Sequence, residues 1–371
     1  MIDMRIKHVL AALMVSAVAI IGIVGAGCLG NGDTGTKTVY WLEVSPVNQK
    51  AQLIAGNIDG AIAWEPYASD AQLSGSASIY KWSDEIWPDH PCCVVAVDQD
   101  YLADNEELVL RVLKTHIVAT DWITETIQDP EGANYTMLLE MGAKFSARNE
   151  TVVASSLNHM VLEYEITNLF LQYLGTVTET YIDLGIIDNQ TIEDRGYSNV
   201  TDFVDNYVDS SLLDEATGIE PSDTILNPDD PVRLGYLVGD LHHFARLAAS
   251  NDTIWGEDGK DLYEIYGVAT ATAEGGPYAN GGYEMDAFTA GYVDVGYLGN
   301  PPAILKHLNG GTNTLIIGQA NSVGSAIFVD PSITTLDDFD GKTIATPGPS
   351  SIQHLIFLDY FKENGFEVVA K

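Results

Sequence analysis

The sequence predicts an α/β protein with two lobes, and three observations support that prediction. The chain has 371 residues, which is long enough for two domains with substantial cores. Strand-like and helix-like segments alternate over most of its length, as they do in α/β folds. A short pattern also occurs twice, once near each end of the chain, which indicates two units of similar topology.

The repeated pattern reads AGNIDGAIAWEPYA from Ala55 and AGYVDVGYLGNPPA from Ala290. A glycine that follows helix-forming residues is typical of a helix end, and the apolar residues after it favour a short buried strand. The proline that follows indicates a loop leading into another helix. Each copy therefore predicts a helix, a turn, a strand and a loop in the same order.

The remaining segments fit the same alternation of strands and helices. Strands are predicted at residues 39–44, 92–97, 232–236, 314–317, 326–329 and 343–345. Helices are predicted at residues 49–54, 105–127, 155–174, 283–289 and 350–364. Residues 216–231 are rich in Pro and Asp without periodicity, so they predict a linker between residues 39–215 and 232–371.

The charge balance is strongly acidic, with 53 acidic and 17 basic residues and a formal net charge of -36. Nucleic acid is excluded as a partner, because phosphate binding needs clusters of Lys and Arg. A small anion is not excluded, since backbone N–H groups and helix N-termini can bind it while the outer surface stays acidic. The acidic surface itself is interpreted as an adaptation for solubility.

The cysteines predict neither a disulfide framework nor a metal site. Adjacent Cys92 and Cys93 could join only in a small strained ring, and no Cys-x-x-Cys spacing accompanies them. We interpret the pair as small buried residues of a strand, with a vicinal disulfide as the alternative.

The N-terminus predicts export from the cytoplasm. Basic residues precede an apolar run, and the small residues 25–27 stand directly before Cys28. This pattern predicts a lipoprotein signal at residues 1–27, lipidation of Cys28 and a tether at residues 28–38. An uncleaved single transmembrane anchor is the alternative, because the apolar run is nearly long enough to span a bilayer. Either signal places the protein at the extracytoplasmic face of the cell membrane.

Four segments resemble one known family. They are GNIDGAIAWEPY from Gly56, VRLGYLVGDLHH from Val232, GYVDVGYLGNPPAILK from Gly291 and TLDDFDGKTIATPGPSSIQH from Thr335. They are similar to the substrate-binding proteins of ABC importers for nitrate, sulfonates, taurine and bicarbonate, a family that includes thiamine-precursor binders. The resemblance implies a periplasmic-binding-protein-like (type II) fold with a hinge and a ligand cleft between the lobes. It also implies a monomer that delivers a small, anionic solute to a permease with a cytoplasmic ATPase, without a cofactor.

The order of the segments departs from that family. Its members begin with the part that corresponds to residues 232–371 here and continue into the part that corresponds to residues 39–215. We interpret the order as a circular permutation, in which residue 371 would otherwise run almost directly into residue 39. A recombination or gene-model artefact between tandem copies is the alternative. In a complete permuted fold, neither part should fold well alone.

The strongest candidate for solute binding is the start of the last predicted helix. Gly348, Pro349, Ser350 and Ser351 form a turn that would present free N–H groups, hydroxyls and the positive end of the helix dipole. Such groups suit an oxyanion, and a plain N-cap is the alternative role for Ser350. The predicted ligand contacts in this segment are Ser350, Ser351, Gln353 and His354.

Further candidates lie where predicted strands end at the cleft. Gly299 with Asn300 and Trp64 with Glu65 occupy equivalent places in the two repeats. His242 and His243 cannot both face one pocket from a regular element, so one is expected in the site and the other in the core or in solvent. The remaining predicted ligand contacts are Gly299, Asn300, Trp64, Glu65, Asp240, His242, Ser322 and Ser325. Each also has a plain structural alternative as a loop, turn or core residue.

Catalysis is not predicted. The chain lacks a Gly-x-Ser-x-Gly elbow, a phosphate loop ending in Gly-Lys-Ser/Thr and a His-Glu-x-x-His motif. The glycine-rich residues 274–288 lack the spacing of a dinucleotide fingerprint and are interpreted as a cleft or hinge loop. The alternatives to a transport protein are an enzyme on the same fold, such as a thiamine-pyrimidine synthase, and a membrane-anchored sensor ectodomain.

Overall fold

The computed structural model describes residues 36–256 and 259–371. The predicted signal, Cys28 and most of the predicted tether lie outside the described residues, so those predictions stay predictions. Within the described ranges, no helix combines the length and the apolar character that a membrane span requires.

Two six-stranded sheets form the frame of the described chain. The strands are β1 (Thr38–Glu43), β2 (Gly60–Trp64), β3 (Ser78–Trp82), β4 (Pro91–Asp98), β5 (Met160–Leu162), β6 (Val232–Gly235), β7 (Thr270–Thr272), β8 (Val295–Gly299), β9 (Thr314–Val323), β10 (Ser325–Val329), β11 (Thr343–Thr346) and β12 (Glu367–Ala370).

Helices connect most of these strands and cover the sheets. They are α1 (Pro46–Ile54), α2 (Tyr67–Leu73), α3 (Gln99–Ile127), α4 (Ala133–Ser146), α5 (Glu150–Leu157), α6 (Asn168–Asp183), α7 (Asn189–Asp194), α8 (Val200–Tyr207), α9 (Ser211–Thr217), α10 (Phe244–Ala249), α11 (Leu262–Ile265), α12 (Gly281–Thr289), α13 (Asn300–Leu305) and α14 (Ile352–Glu363).

Each sheet is the centre of one lobe. Lobe A contains the sheet ordered β12-β1-β11-β2-β10-β3, and lobe B contains the sheet ordered β5-β9-β4-β8-β6-β7. In lobe A, β10 runs antiparallel to the other strands, and in lobe B, β4 and β5 run antiparallel to the others. β10 and β4 each directly follow a crossing of the chain between lobes. This architecture confirms the predicted two-lobed α/β fold of periplasmic-binding-protein-like type.

The chain crosses between the lobes at two neighbouring places. One crossing is residues 83–90, which lead from β3 to β4, and the other is Gly324, which separates β9 from β10. Gly324 has a φ of +82°, and a Cβ there would lie 2.5 Å from Nε2 of His242. Only glycine therefore fits this crossing without moving its neighbours.

The two repeats take equivalent places in the two lobes, as the sequence predicts. Gly56 and Gly291 adopt φ values of +70° and +72° at the ends of α1 and α12. The strands that follow lie next to equivalent antiparallel strands, β2 next to β10 and β8 next to β4.

The lobes do not coincide with the two parts of the sequence. Lobe A combines β1, β2 and β3 from the first part with β10, β11 and β12 from the second. Residues 218–231 form no helix or strand, but they pack against lobe B, since the amides of Ser222 and Leu226 donate to the carbonyls of Ile265 and Gly267 at 2.9 Å.

The ends of the described chain meet in lobe A, but not as a direct continuation. β1 and β12 are parallel neighbours, and the amide of Lys371 donates to the carbonyl of Trp41 at 2.9 Å. Parallel neighbours need a crossover that returns along the strand, so residue 371 could not run almost directly into residue 39. The expectation of a direct join was wrong in this respect.

The predicted helix at residues 155–174 was also wrong. Helix α5 ends at Leu157, the short strand β5 follows, and α6 begins only after Thr167, whose hydroxyl accepts a hydrogen bond from the amide of Phe170 at 3.1 Å. β5 pairs with the far end of β9, which runs to Val323 and not only to Ile317. The apolar residues of this segment suit either element, and pairing with β9 decides between them.

Candidate functional site

A cavity of about 40 Å³ lies between the lobes, beside both crossings of the chain. The lobes touch each other around it, since Tyr67 Oη donates to the carbonyl of Val238 at 3.0 Å and Tyr181 Oη donates to that of Pro349 at 3.2 Å. Lobe A contributes Trp64, Pro347, Ser350, Ser351, Ile352 and Gln353 to its lining. Lobe B contributes Cys92, Cys93, Leu237, Asp240, His242, Asn280, Gly281, Gly282, Gly299 and Pro302.

Two helices begin at this cavity, one in each lobe. Ser351 caps α14, with its hydroxyl accepting from the amide of His354 at 3.2 Å. Asn280 caps α12, with its side-chain oxygen accepting from the amide of Tyr283 at 3.1 Å. The first turn of a helix leaves several N–H groups without partners inside the helix and carries the positive end of the helix dipole. Both lobes therefore direct hydrogen-bond donors and partial positive charge towards the cavity.

Trp64 adds a further donor. It lines the cavity at the end of β2, and the residue is only 6 % exposed. Its indole N–H has no hydrogen-bond partner among the residues that the structure describes. A buried indole N–H usually finds a partner, so Trp64 is suited to donate to a bound solute as well as to cover it.

Cys92, Cys93 and His242 form a compact cluster on the lobe B wall. His242 Nδ1 lies 3.4 Å from Cys92 Sγ and 3.9 Å from Cys93 Sγ, and the two sulfurs are 4.0 Å apart. A hydrogen bond from Cys93 and the charge of His242 hold the pKa of Cys92 well below its usual value. Burial acts to lower the pKa of His242, but Cys92 and Asp240 outweigh it and raise that pKa to about 9. The arrangement favours a Cys92 thiolate beside a His242 imidazolium when no other ligand is present.

Asp240 and His243 are close neighbours of His242 in lobe B, but only Asp240 lines the cavity. Asp240 accepts a hydrogen bond from the amide of His242 at 2.9 Å, and burial raises the pKa of Asp240 to about 7. His243 faces the core instead, where its Nδ1 accepts from the amide of Leu237 at 3.2 Å. The two adjacent histidines therefore diverge in the way that the sequence predicts.

Seven of the predicted ligand contacts line the cavity, and five lie outside its lining. Those in the lining are Trp64, Asp240, His242, Gly299, Ser350, Ser351 and Gln353. The side chain of Gln353 is held by the hydroxyl of Ser325, to which it donates at 3.0 Å. Ser325 is thus a buried partner of a lining residue and not a lining residue itself.

Glu65 and Asn300 follow Trp64 and Gly299 but turn away from the cavity. The carboxylate of Glu65 accepts from the amide and the hydroxyl of Ser69 at 3.0 and 2.6 Å. The amide nitrogen of Asn300 donates to the carbonyls of Pro91 and Cys92 at 3.1 and 3.0 Å. The carboxylate of Glu65 and the amide nitrogen of Asn300 are thus held by the fold, and neither residue is part of the cavity lining.

His354 and Ser322 also lie outside the lining. His354 packs edge-on against Trp41, with its Nδ1 3.0 Å from the hydroxyl of Thr346, and burial lowers its pKa to about 4. Ser322 lies in β9, where its carbonyl accepts from the side chain of Asn321 at 3.2 Å. The side chain of His354 leaves α14 in a different direction from that of Gln353, and side chains alternate between the two faces of β9 at Ser322. Neither side chain therefore enters the cavity.

The sequence does not predict that Cys92 and Cys93 line the cavity, because no ligand-like spacing accompanies them. They are buried residues of a strand, as the sequence predicts, but they also face the cavity. Residues 274–288 were interpreted as a cleft or hinge loop, and Asn280, Gly281 and Gly282 do line the cavity. The useful signal was Asn280 before a helix, since an N-cap marks where free N–H groups lie.

Comparison with known proteins agrees with this fold. The described residues form a two-lobed, periplasmic-binding-protein-like architecture, and the sequence profile of the NMT1-like family matches residues 14–137. That family belongs to the nitrate-, sulfonate- and taurine-binding group of substrate-binding proteins, which indicates a solute-binding protein. No curated protein and no solved structure matches the chain.

Proposed function

We propose that this chain is the extracytoplasmic solute-binding protein of an ABC importer and that its solute is a small oxyanion. The observation that carries the proposal is the convergence of α12 and α14, from different lobes, on one cavity beside the two crossings. A solute bound there would contact both lobes and would favour the closed arrangement, as in hinge-closing binding proteins.

The lining favours an oxyanion of the nitrate, sulfonate or bicarbonate class over a solute with a large apolar part. Its donors are helix N–H groups, the hydroxyl of Ser350 and the indole N–H of Trp64. Asp240 need not oppose an anion, because its pKa of about 7 leaves much of it protonated near neutral pH. A protonated carboxyl group can itself donate a hydrogen bond to the solute.

The surroundings of the protein are part of the same proposal. A lipid on Cys28, or an uncleaved apolar anchor, would hold a monomer at the outer face of the membrane, next to a permease with a cytoplasmic ATPase. The permuted order is supported by the mixed origin of both sheets, each of which combines strands from both parts of the sequence.

The experiment that tests this function is calorimetric titration of the detergent-purified, chelator-treated full-length chain. The solutes to be compared are nitrate, taurine, an alkanesulfonate, bicarbonate, molybdate and a thiamine pyrimidine precursor. We expect one of the oxyanions to bind with a 1:1 stoichiometry. If no oxyanion gives heat of binding, or if the pyrimidine precursor alone does, the oxyanion assignment is overturned.

Trp64→Phe sharpens the test, because it removes the indole N–H and keeps an aromatic ring. Loss of one hydrogen bond to a charged solute costs about 1.5–3 kcal/mol, which corresponds to a roughly 10- to 150-fold weaker affinity. Trp122→Phe is the matched control, since Trp122 packs against Trp255 away from the cavity. Equal affinities for the two variants would contradict a donor role for Trp64.

A further inference from the structure

We propose that Cys92, Cys93 and His242 bind a divalent transition-metal ion of the zinc class on the wall of the cavity. All three residues are buried, all three line the cavity, and their ligand atoms come from two separate parts of the chain. The inference does not depend on which solute the cavity takes, and it adds a site that the proposed function does not require.

The distances between the three ligand atoms match those around a tetrahedral metal ion. Bonds of about 2.3 Å to sulfur and about 2.0 Å to imidazole nitrogen place two sulfurs roughly 3.8 Å apart and a sulfur and a nitrogen roughly 3.5 Å apart. The observed separations are 4.0 Å between the sulfurs and 3.4 and 3.9 Å from them to His242 Nδ1. A single ion can therefore reach all three atoms with only small side-chain movements.

The orientation of His242 is already that of a metal ligand. Its Nε2 lies 3.0 Å from the carbonyl of Gly324, which has no proton to give, so Nε2 carries the hydrogen and donates. In the neutral ring this leaves the lone pair on Nδ1, the atom that faces the sulfurs. Metal-bound histidines are commonly held by a backbone carbonyl in this way.

An irregularity in β4 explains how adjacent cysteines can serve one ion. Successive side chains of a regular strand point to opposite faces, but the pairing of β4 with β9 shifts register on both sides of Cys93. The backbone there is held in place, because the amide of Cys93 donates to Asn321 Oδ1 at 2.9 Å and Asn300 holds the carbonyl of Cys92. The distorted strand brings both sulfurs to the same wall of the cavity.

The charge and softness of the site favour zinc-class ions. Two thiolates and a neutral imidazole neutralise a divalent cation, and thiolate ligands select against magnesium and calcium. Binding would release two protons as the metal bonds form, one from the Cys93 thiol and one from the Cys92–His242 pair. The fourth position would face the cavity, where the nearest carboxylate is Asp240, whose Oδ1 is 3.7 Å from His242 Nδ1.

The test is titration of the reduced, chelator-treated full-length chain with cobalt(II), followed by absorbance. We expect one cobalt ion per chain, a thiolate-to-cobalt charge-transfer band and visible bands of tetrahedral intensity, all displaced by zinc. Cys93→Ser and His242→Gln should each weaken binding at least tenfold. His159→Gln should leave it unchanged, since His159 stacks on Trp82 outside the cavity.

A second measurement keeps the proposal testable if a variant does not fold. Zinc-loaded and zinc-free wild-type chains are treated with iodoacetamide, and the alkylated cysteines are mapped by mass spectrometry. We expect zinc to protect Cys92 and Cys93 at least tenfold. Absence of both the charge-transfer band and the protection in folded wild-type protein would overturn the metal site. A chain that is isolated with a Cys92–Cys93 disulfide and still binds no metal after that disulfide is reduced would overturn it as well. Neither outcome would affect the solute titrations, which are made on the metal-free chain.

Discussion

The two repeated units share an aspartate before the strand and differ in the residue after it. Asp59 and Asp294 stand at the same position of the repeat, just before β2 and β8. Asp59 accepts from the amide of Thr343 at the start of β11, and Asp294 accepts from that of Arg233 near the start of β6. Each aspartate also pairs with a cation there, Asp59 with Lys342 and Asp294 with Arg233. In both lobes an aspartate therefore ties the repeated strand to its neighbouring parallel strand.

The ends of the two repeated strands behave differently. Glu65 accepts hydrogen bonds from Ser69, in the helix α2 that follows it. Asn300, at the equivalent position, donates instead to the first residues of the neighbouring strand β4, beside the cysteines of the cavity. The two repeats therefore share the residue that fixes the strand in its sheet. The residue after the strand makes different contacts in each lobe.

The largest effect is expected from removing the shared aspartates. Asp294 is buried and its side chain is 3 % exposed, while the Asp59 side chain is 35 % exposed. Asp294→Ala should lower the free energy of unfolding by about 3 kcal/mol, because charged hydrogen bonds are lost from a buried site. Asp59→Ala should cost only about 1 kcal/mol, since solvent screens its pairing. Equilibrium urea unfolding of the full-length chain in detergent measures both, and equal losses would contradict the comparison.

A smaller effect is expected where the repeats diverge. Asn300→Ala leaves the carbonyls of Pro91 and Cys92 without the side-chain donor, which should cost about 2 kcal/mol of unfolding free energy. It should also weaken cobalt binding, because the first residues of β4 would no longer be held. Asn309→Ala is the control, since its amide donates to the carbonyl of Ile186 at an exposed site. Unchanged cobalt affinity in Asn300→Ala would show that Asn300 does not position Cys92.

The smallest expected effect of the difference between the repeats is on the pH dependence of stability. Burial raises the pKa of Glu65 from 4.5 to about 7, despite the hydrogen bonds from Ser69. A raised carboxyl pKa stabilises the fold below pH 4.5, and that contribution is lost as the pH rises to about 7. Relative to wild type, Glu65→Gln should therefore gain on the order of 1–2 kcal/mol between pH 4.5 and pH 6. Urea unfolding at several pH values checks this, and parallel curves for both proteins would contradict it.

Local patterns predicted most of the fold because their causes are local. The repeat placed β2 and β8 correctly, and the apolar run at residues 92–97 placed β4. Residues 155–174 failed, because a helix and a short edge strand share the same apolar pattern until a partner strand is present. The direct join of residue 371 to residue 39 failed because only the sheet shows that β1 and β12 run in parallel.

The candidate site was predictable only where a motif carried its own chemistry. Helix starts such as Ser350 and Ser351 can be recognised from capping patterns, and both residues line the cavity. Cys92 and His242 are 150 residues apart, so no spacing rule could bring them together. The direction of Glu65 and Asn300 depends on neighbours from other elements, which the repeat does not specify.

The sequence by itself determined the α/β alternation, the paired units and the helix starts that supply hydrogen-bond donors. These features follow from hydrophobic periodicity, glycine turns and capping, all of which act over a few residues. Only the tertiary structure decided which side chains meet at the cavity and that both lobes draw strands from both parts of the chain. Such contacts join residues that are distant in sequence. Sheet pairing and the crossings at residues 83–90 and Gly324 bring those residues together.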